Sequence, residues 1–235
     1  MVGSVATFAP DQSRHIATVL RLRPGERVLV FDGTGVEHVA ELETVTAERV
    51  AARVVETLQS VQPTLHLALL QAVPKGTKMD DVVRMGTELG VTEFIPFISA
   101  RTVAAGRGRV ARWLRIAVEA AKQCRRSDVP VVHAPMPLGQ ALDHVTGYDL
   151  VLLLWEGEQT RTIAQALVAR GQVARVAVVI GPEGGFAPEE VAEATTRGAV
   201  PVTVGALILR TETAGVVALA MVLYELMLRP QPSPR

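Results

Sequence analysis

The spacing of hydrophobic and polar positions changes once along the chain, near residue 64. Before that point three short runs rich in β-branched residues stand out: Arg27–Phe31, Val36–Val45 and Arg49–Leu58. In the second run Val36, His38, Ala40 and Leu42 alternate with Glu37, Val39, Glu41 and Glu43. Period two is the mark of a half-buried strand. Asp32-Gly33-Thr34-Gly35 separates the first two runs as a hairpin loop, with glycine supplying the positive φ such loops need. His15–Arg21 is long enough for a short helix, and Pro24-Gly25 makes a turn. Three strands with tight turns predict a small β-barrel. Gln59–Thr64 is polar and contains Pro63, so it reads as a linker.

From residue 65 strands alternate with helices. Leu65–Val73, Val91–Ser99, Asp149–Trp155, Val173–Ile180 and Val200–Val204 predict strands. Pro96 places its strand near an edge or a bend. Thr77-Lys78-Met79-Asp80 has the form of a capping box opening a helix that Gly90 closes. Arg109–Arg126 predicts an amphipathic helix, with Val110, Trp113, Leu114, Ala117, Ala121 and Cys124 at helical spacing. Thr160–Ala169 and Thr213–Arg229 predict two more helices. Pro188-Glu189-Glu190 opens another, with acids at the positive end of its dipole. Strands apolar on both faces, alternating with helices, predict a parallel sheet covered on both sides. The predicted domains are therefore residues 1–63 and 64–235.

Composition narrows the function classes. Hydrophobic residues make up 49% of 235, enough for a sizeable core and against disorder. The longest apolar runs are too short to span a membrane. The first twenty residues lack the core of a signal peptide, so a cytoplasmic location is expected. One cysteine excludes an internal disulfide and a cysteine-based zinc site. Twenty-four basic residues balance 24 acidic ones, so nucleic-acid binding requires a local patch. Such a patch exists in the sequence. Arg101, Arg107, Arg109, Arg112, Arg115, Lys122, Arg125 and Arg126 face only Glu119 over that span, and Lys75, Lys78 and Arg84 lie just upstream. A contiguous basic face neutralises phosphates, whereas a solvated helix face is the plain alternative.

The candidate chemistry lies in Val178–Ala214. A glycine-rich loop, Gly181-Pro182-Glu183-Gly184-Gly185-Phe186, follows an apolar strand. It matches neither the dinucleotide fingerprint nor the P-loop and carries no Lys or Arg. Glycines let a backbone approach a ligand closely, and Glu183 adds negative charge, so an uncharged or cationic nucleoside-like ligand fits. A tight turn without a ligand fits the pattern as well. The second cluster is Leu207-Ile208-Leu209-Arg210-Thr211-Glu212-Thr213. Here Thr211 or Thr213 could cap the last helix, and Arg210 could pair with Glu212. His15, His38, His66, His133 and His144 are scattered without metal-ligand spacing, so no metal is expected. Trp113 reads as core, Trp155 as core or pocket rim, and Cys124 as a buried thiol. No Ser/His/Asp or Cys/His set is present.

Taken together, these residues resemble the ribosomal RNA small subunit methyltransferase E (RsmE) family of SPOUT, or α/β-knot, methyltransferases. The most specific pieces are Ile180–Phe186 and Ile208–Ala214. Val19-Leu20-Arg21, Phe31–Gly35, Thr87–Val91 and Glu119–Arg126 support them. The resemblance implies an α/β fold with a deep trefoil knot, a parallel sheet with helices on both faces, and a small N-terminal PUA-like β-barrel that helps hold RNA. It implies S-adenosylmethionine bound by Leu154, Trp155 and Glu156, by Ile180, Gly181, Pro182, Glu183, Gly184 and Gly185, and by Val204, Gly205, Leu207, Ile208, Leu209, Thr211, Thr213 and Ala214. Arg210 and Glu212 become the catalytic candidates. RNA would be held by Arg14, Arg21, Arg23, Lys75, Lys78, Arg101, Arg107, Arg109, Arg112, Arg125 and Arg126. A homodimer and 3-methyluridine in 16S rRNA of the assembled small subunit are implied as well. Another SPOUT activity, on ribose 2′-oxygen or tRNA, and a noncatalytic RNA-binding protein are the alternatives. The chain departs from the family where Met85 replaces a frequent Lys and Ala206-Leu207 replaces a frequent Pro-Arg.

Overall fold

The structure is a computed structural model that describes residues 4–58, 65–102 and 108–228. The expected linker, 59–64, and Arg107 lie outside the described residues. The chain forms two compact units, and their limits are not contiguous in sequence: Arg125–Val129 belongs with residues 1–62.

The first unit is a four-stranded antiparallel sheet. Its elements are β1 (Val5–Thr7), α1 (Pro10–Arg14), β2 (Arg27–Phe31), β3 (Glu37–Val45) and β4 (Val50–Thr57), and the strand order is β1-β4-β3-β2. The three expected strands are present. β1 is too short to show a pattern and is held by its pairing with β4. The alternation in β3 buries Ala40 and Leu42, which pack with Ile16, Val50 and Ala52. The helix starts at Pro10 rather than His15, since proline pre-sets the first turn and the Gln12 side chain accepts the Ala9 N–H at 3.2 Å. His15–Val19 continues it as one wider turn. In the β2–β3 loop Asp32 accepts hydrogen bonds from both the N–H and the hydroxyl of Thr34. Arg125–Val129 joins this loop: the Val129 N–H donates to Gly33 O (3.1 Å) and the Gly35 N–H to Ser127 O (3.2 Å).

The second unit is the predicted parallel sheet. It contains β5 (His66–Ala72), α2 (Lys78–Glu88), β6 (Glu93–Ile98), α3 (Val110–Gln123), β7 (Val131–Val132), β8 (Met136–Pro137), α4 (Leu138–His144), β9 (Leu150–Leu154), α5 (Ile163–Arg170), β10 (Arg175–Ile180), α6 (Pro188–Thr196), β11 (Val200–Val202) and α7 (Thr211–Leu223). The order is β11-β9-β10-β5-β6-β7, with β8 also on β6, and every pairing is parallel. Alternation sorts the strand residues between two layers. Ala68, Leu70, Ala72, Ile95, Phe97, Val151, Leu153, Ala177 and Val179 pack against α4 and α6. Leu69, Gln71 and Ile180 face α7, where Gly215 lets the helix approach: a Cβ there would lie 3.3 Å from Gln71 Oε1. Pro96 falls where the edge pairing is broken, since β7 pairs with Glu93 and Phe94 and β8 with Phe97 and Ile98.

Several local expectations are corrected. Thr77 does not cap α2 with its side chain; its ψ of 7° turns it away from the extended geometry a cap needs. The Asp80 carboxylate is taken instead by Arg112, at 2.6 and 2.9 Å. Leu114 is exposed, leaving Trp113, Ala117, Ala120 and Ala121 as the buried face of α3. Cys124 is half-buried. β7, β8 and α4 add to the expected elements; each is seven residues or shorter and shows no full period.

Candidate active site

The loops after β9, β10 and β11 leave the C-terminal edge of the sheet, the usual ligand side of a parallel sheet. The loop after β10 turns sharply, with the Gly185 N–H donating to Pro182 O at 3.0 Å. Phe186 anchors it by stacking on Phe97, with centroids 6.3 Å apart and planes within 8°. That ring explains Gly181, whose Cβ would sit 2.9 Å from it. Gly185 has φ +68°, and a Cβ there would collide with the Glu156 carboxylate. Arg101 donates to Gly184 O at 2.7 Å. Leu154 ends β9, Trp155 packs half-buried on the core, and Glu156 is exposed beyond it.

The second cluster meets the first. Arg210, not Thr211 or Thr213, is the N-cap of α7, and its carbonyl accepts the N–H groups of Thr213 (2.9 Å) and Ala214 (2.8 Å). Thr211 is buried; its hydroxyl donates to Gly181 O at 2.6 Å and accepts from Gln71 Nε2 at 2.9 Å. One hydroxyl thus ties α7 to the glycine loop and to β5. Lys78 joins the same two segments, lying 3.4 Å from Glu183 and 3.3 Å from Glu212. The Glu212 contact is a charge contact whose angle is not that of a hydrogen bond, so Glu212 Oε2 stays buried without a donor.

Glu212 therefore pairs with Lys78, and the exposed Arg210 guanidinium has no ion-pair partner among the described residues. Burial pushes the Glu183 carboxyl up. Its own N–H, the Lys75 N–H and Lys78 outweigh that and hold it below the usual carboxylate range. The β11–α7 loop carries Val204, Gly205 (φ +128°) and Leu209. It also exposes Leu207 and Ile208, at 81% and 88%. An apolar wall, carboxylates and an unpaired guanidinium at one sheet edge suit a flat, partly cationic ligand beside a group that develops negative charge.

The basic residues divide between the units. Lys75, Lys78 and Arg101 contact the glycine loop. Arg109 donates to Gly76 O in the turn before α2, and Arg112 pairs with Asp80, bracing α3 on α2. In the first unit the half-buried Arg126 pairs with Asp128 at 2.6 Å. Arg14 ends α1, Arg21 and Arg125 have positive φ, and the Arg23 N–H binds Glu26. Sequence reasoning missed Gln71, a polar residue in an apolar strand, and Glu190. The buried Glu190 carboxylate accepts from Ser99 Oγ, Ala100 N and Ala187 N, fixing the loop after β6 to the start of α6. A cavity of about 770 Å³ lies elsewhere, along α5 and the starts of β9 and β11. It lacks the glycine loop and the Arg210 cluster.

Residues 61–223 match the model of an RNA methyltransferase domain and residues 8–55 that of an RNA methyltransferase PUA domain. Ribosomal RNA small subunit methyltransferase E of Mycobacterium bovis is 35% identical over 94% of this chain and 86% of its own length. The chain belongs to the RsmE family. The Bacillus subtilis RsmE is 31% identical over 92% of this chain and 88% of its own length. The crystal structure of RsmE from Neisseria gonorrhoeae, bound to S-adenosylmethionine, superposes with a TM-score of 0.83. It is 31% identical and covers 95% of this chain and 92% of that one. The putative methyltransferase of Legionella pneumophila, also solved with S-adenosylmethionine, gives 0.82 at 31% identity, covering 94% and 92%. In RsmE terms the N-terminal sheet is the PUA part and the parallel sheet the methyltransferase part, a SPOUT-like fold.

Proposed function

We propose that this chain transfers a methyl group from S-adenosylmethionine to N3 of a uridine in 16S rRNA of the small ribosomal subunit. One observation carries the reading: Thr211 closes the Gly181 loop onto the start of α7 and leaves Arg210 beside it exposed, with no ion-pair partner among the described residues. The residues fit the donor. Leu207 and Ile208 offer an apolar wall for adenine, and Glu156, which makes no ion pair among the described residues, offers negative charge to a cation.

When bound, the donor supplies an electrophilic methyl group. The protein must do the rest. Uridine N3 becomes nucleophilic as its proton leaves, and negative charge then spreads to O2 and O4. The Arg210 guanidinium is positioned to stabilise that charge. Glu212, held by Lys78 rather than by Arg210, is the nearby candidate to take the proton. Holding the acceptor atom in line accounts for much of the acceleration. N3 is hidden in a paired base, so the uridine is unpaired or flipped out. Lys75, Arg101 and the residues of α3 supply the neighbouring positive charge. A homodimer belongs to the same reading, supported by the exposed Val168, Tyr224 and Met227. So does a knotted passage of the last segment, supported by α7 returning to pack on β10.

The test is methylation of small subunits lacking the modification, with naked 16S rRNA and tRNA in parallel, read by nucleoside mass spectrometry. 3-Methyluridine from subunits is expected. Arg210→Ala should lose most turnover while still binding S-adenosylmethionine by calorimetry. Full turnover in that variant removes Arg210 from the chemistry. A different methylated atom or RNA keeps the enzyme class and discards the target.

A further inference from the structure

The opposite end of the parallel sheet carries a second constellation. Glu93 is the first residue of β6, and its partner in β7 is Val131. Two residues on, His133 reaches the same face of the sheet, its N–H donating to Phe94 O at 3.0 Å. Its Nε2 lies 2.6 Å from Glu93 Oε1. That face is the one covered by α4, whose last residue is His144. The two imidazoles stand 5.0 Å apart between centroids, tilted by 58°. One ligand atom from each of Glu93, His133 and His144 lies within 4.8 Å of the other two. No spacing motif announces this cluster, because the histidines are eleven positions apart and the carboxylate is forty residues upstream.

We propose that Glu93, His133 and His144 form a site for a divalent transition-metal ion, with zinc the best match. Two imidazoles and one carboxylate are a common zinc donor set, leaving a fourth position for water. Tetrahedral bonds of about 2.0–2.2 Å set ligand atoms roughly 3.4 Å apart, so the 2.6 Å contact between His133 and Glu93 opens to admit the ion. The outer support is already built: Tyr148 donates its hydroxyl to Glu93 Oε2 at 2.9 Å, so Oε1 would exchange its His133 contact for the ion. Orientation of a ligating carboxylate by an outer hydrogen bond is typical of real metal sites. The Arg175 guanidinium lies over the Tyr148 ring, 4.5 Å from its centre, and holds that phenol in place. His133 and Glu93 are half-buried while His144 is exposed, so an ion has a route in. Bound there, it would clip α4 to the weakly paired β7–β8 edge. It acts on structure, away from the methyl-transfer loops.

The test uses the tag-free, full-length chain, stripped with chelator and titrated with zinc chloride by calorimetry. Cobalt(II) absorption reports the geometry. One zinc per chain is expected, with a tetrahedral-type cobalt spectrum and a raised melting temperature. His144→Ala changes an exposed residue and should fold normally; it should weaken zinc binding at least about tenfold and abolish the melting shift. His133→Ala should do the same. Absence of stoichiometric binding by the wild-type chain overturns the proposal. Equal binding by a correctly folded His144→Ala chain overturns it too, leaving His133 and Glu93 as a simple hydrogen-bonded pair.

Discussion

Gln71 and Thr211 are 140 residues apart in sequence and 2.9 Å apart in the fold, joined by a hydrogen bond between two buried side chains. The amide also donates to Ala72 O, and Thr211 passes the connection on to Gly181 O. Thr211→Val keeps the shape and removes the hydroxyl, stranding polar groups of Gln71 and Gly181. The expected cost is about 1–3 kcal/mol, measured by denaturant unfolding. Donor affinity should fall as well, because the glycine loop loses its tie to α7. A variant with unchanged stability and affinity would show the contact to be incidental.

Lys78 tests whether a basic residue serves RNA or the loops. Ion pairs open to solvent contribute about 0.2–1 kcal/mol each, and Lys78 makes two that are partly exposed. Lys78→Met should therefore speed amide hydrogen exchange across the glycine loop and the start of α7 by roughly two- to thirtyfold. If exchange is unchanged and only the salt dependence of RNA binding shifts, Lys78 serves RNA alone.

Gly185→Ala should be harmful for two reasons. The residue has φ +68°, and the new methyl group would meet the Glu156 carboxylate. Left-handed backbone costs an L residue about 1–2 kcal/mol. A lowered melting temperature and weaker S-adenosylmethionine binding are expected. Gly76→Ala makes a useful control, with φ +68° and nothing near its Cβ. It should show the backbone cost without the collision.

Glu183 predicts a pH effect. Its carboxyl is held below its ordinary value of 4.5 in the fold. A depressed pKa contributes stability that is full above the unfolded value and is lost as pH falls through the folded one. The melting temperature of Glu183→Gln should therefore vary less steeply with pH below 4.5 than that of the wild-type chain. Parallel curves would show that Lys75 and Lys78 do not stabilise the charge.

The parallel sheet was legible because its strands are apolar on both faces and too short for helices. The glycine loop and Arg210–Thr213 were legible as polar islands beside such strands. What stayed hidden depends on register. Nothing near Gln71 in sequence announces Thr211, and the meeting of Glu93 with His133 follows only once Glu93 pairs with Val131. The expected Thr77 cap failed for a similar reason, since Arg112 from another helix claims Asp80. Leu114 misled because an amphipathic pattern marks an apolar stripe wider than the contact that forms.

Arg125–Val129 has a practical meaning for anyone dissecting the chain. The Ser127 hydroxyl, the Ser127 carbonyl and the Val129 amide all bond to the Gly33–Gly35 loop. A fragment begun at residue 65 would strip those groups of their partners and leave a ragged patch between α3 and β7. A fragment ended at residue 58 would lack the strip that seals its hairpin. Cleavage of the chain between residues 58 and 65 need not release two independent pieces, and the faithful way to study either half is inside the whole.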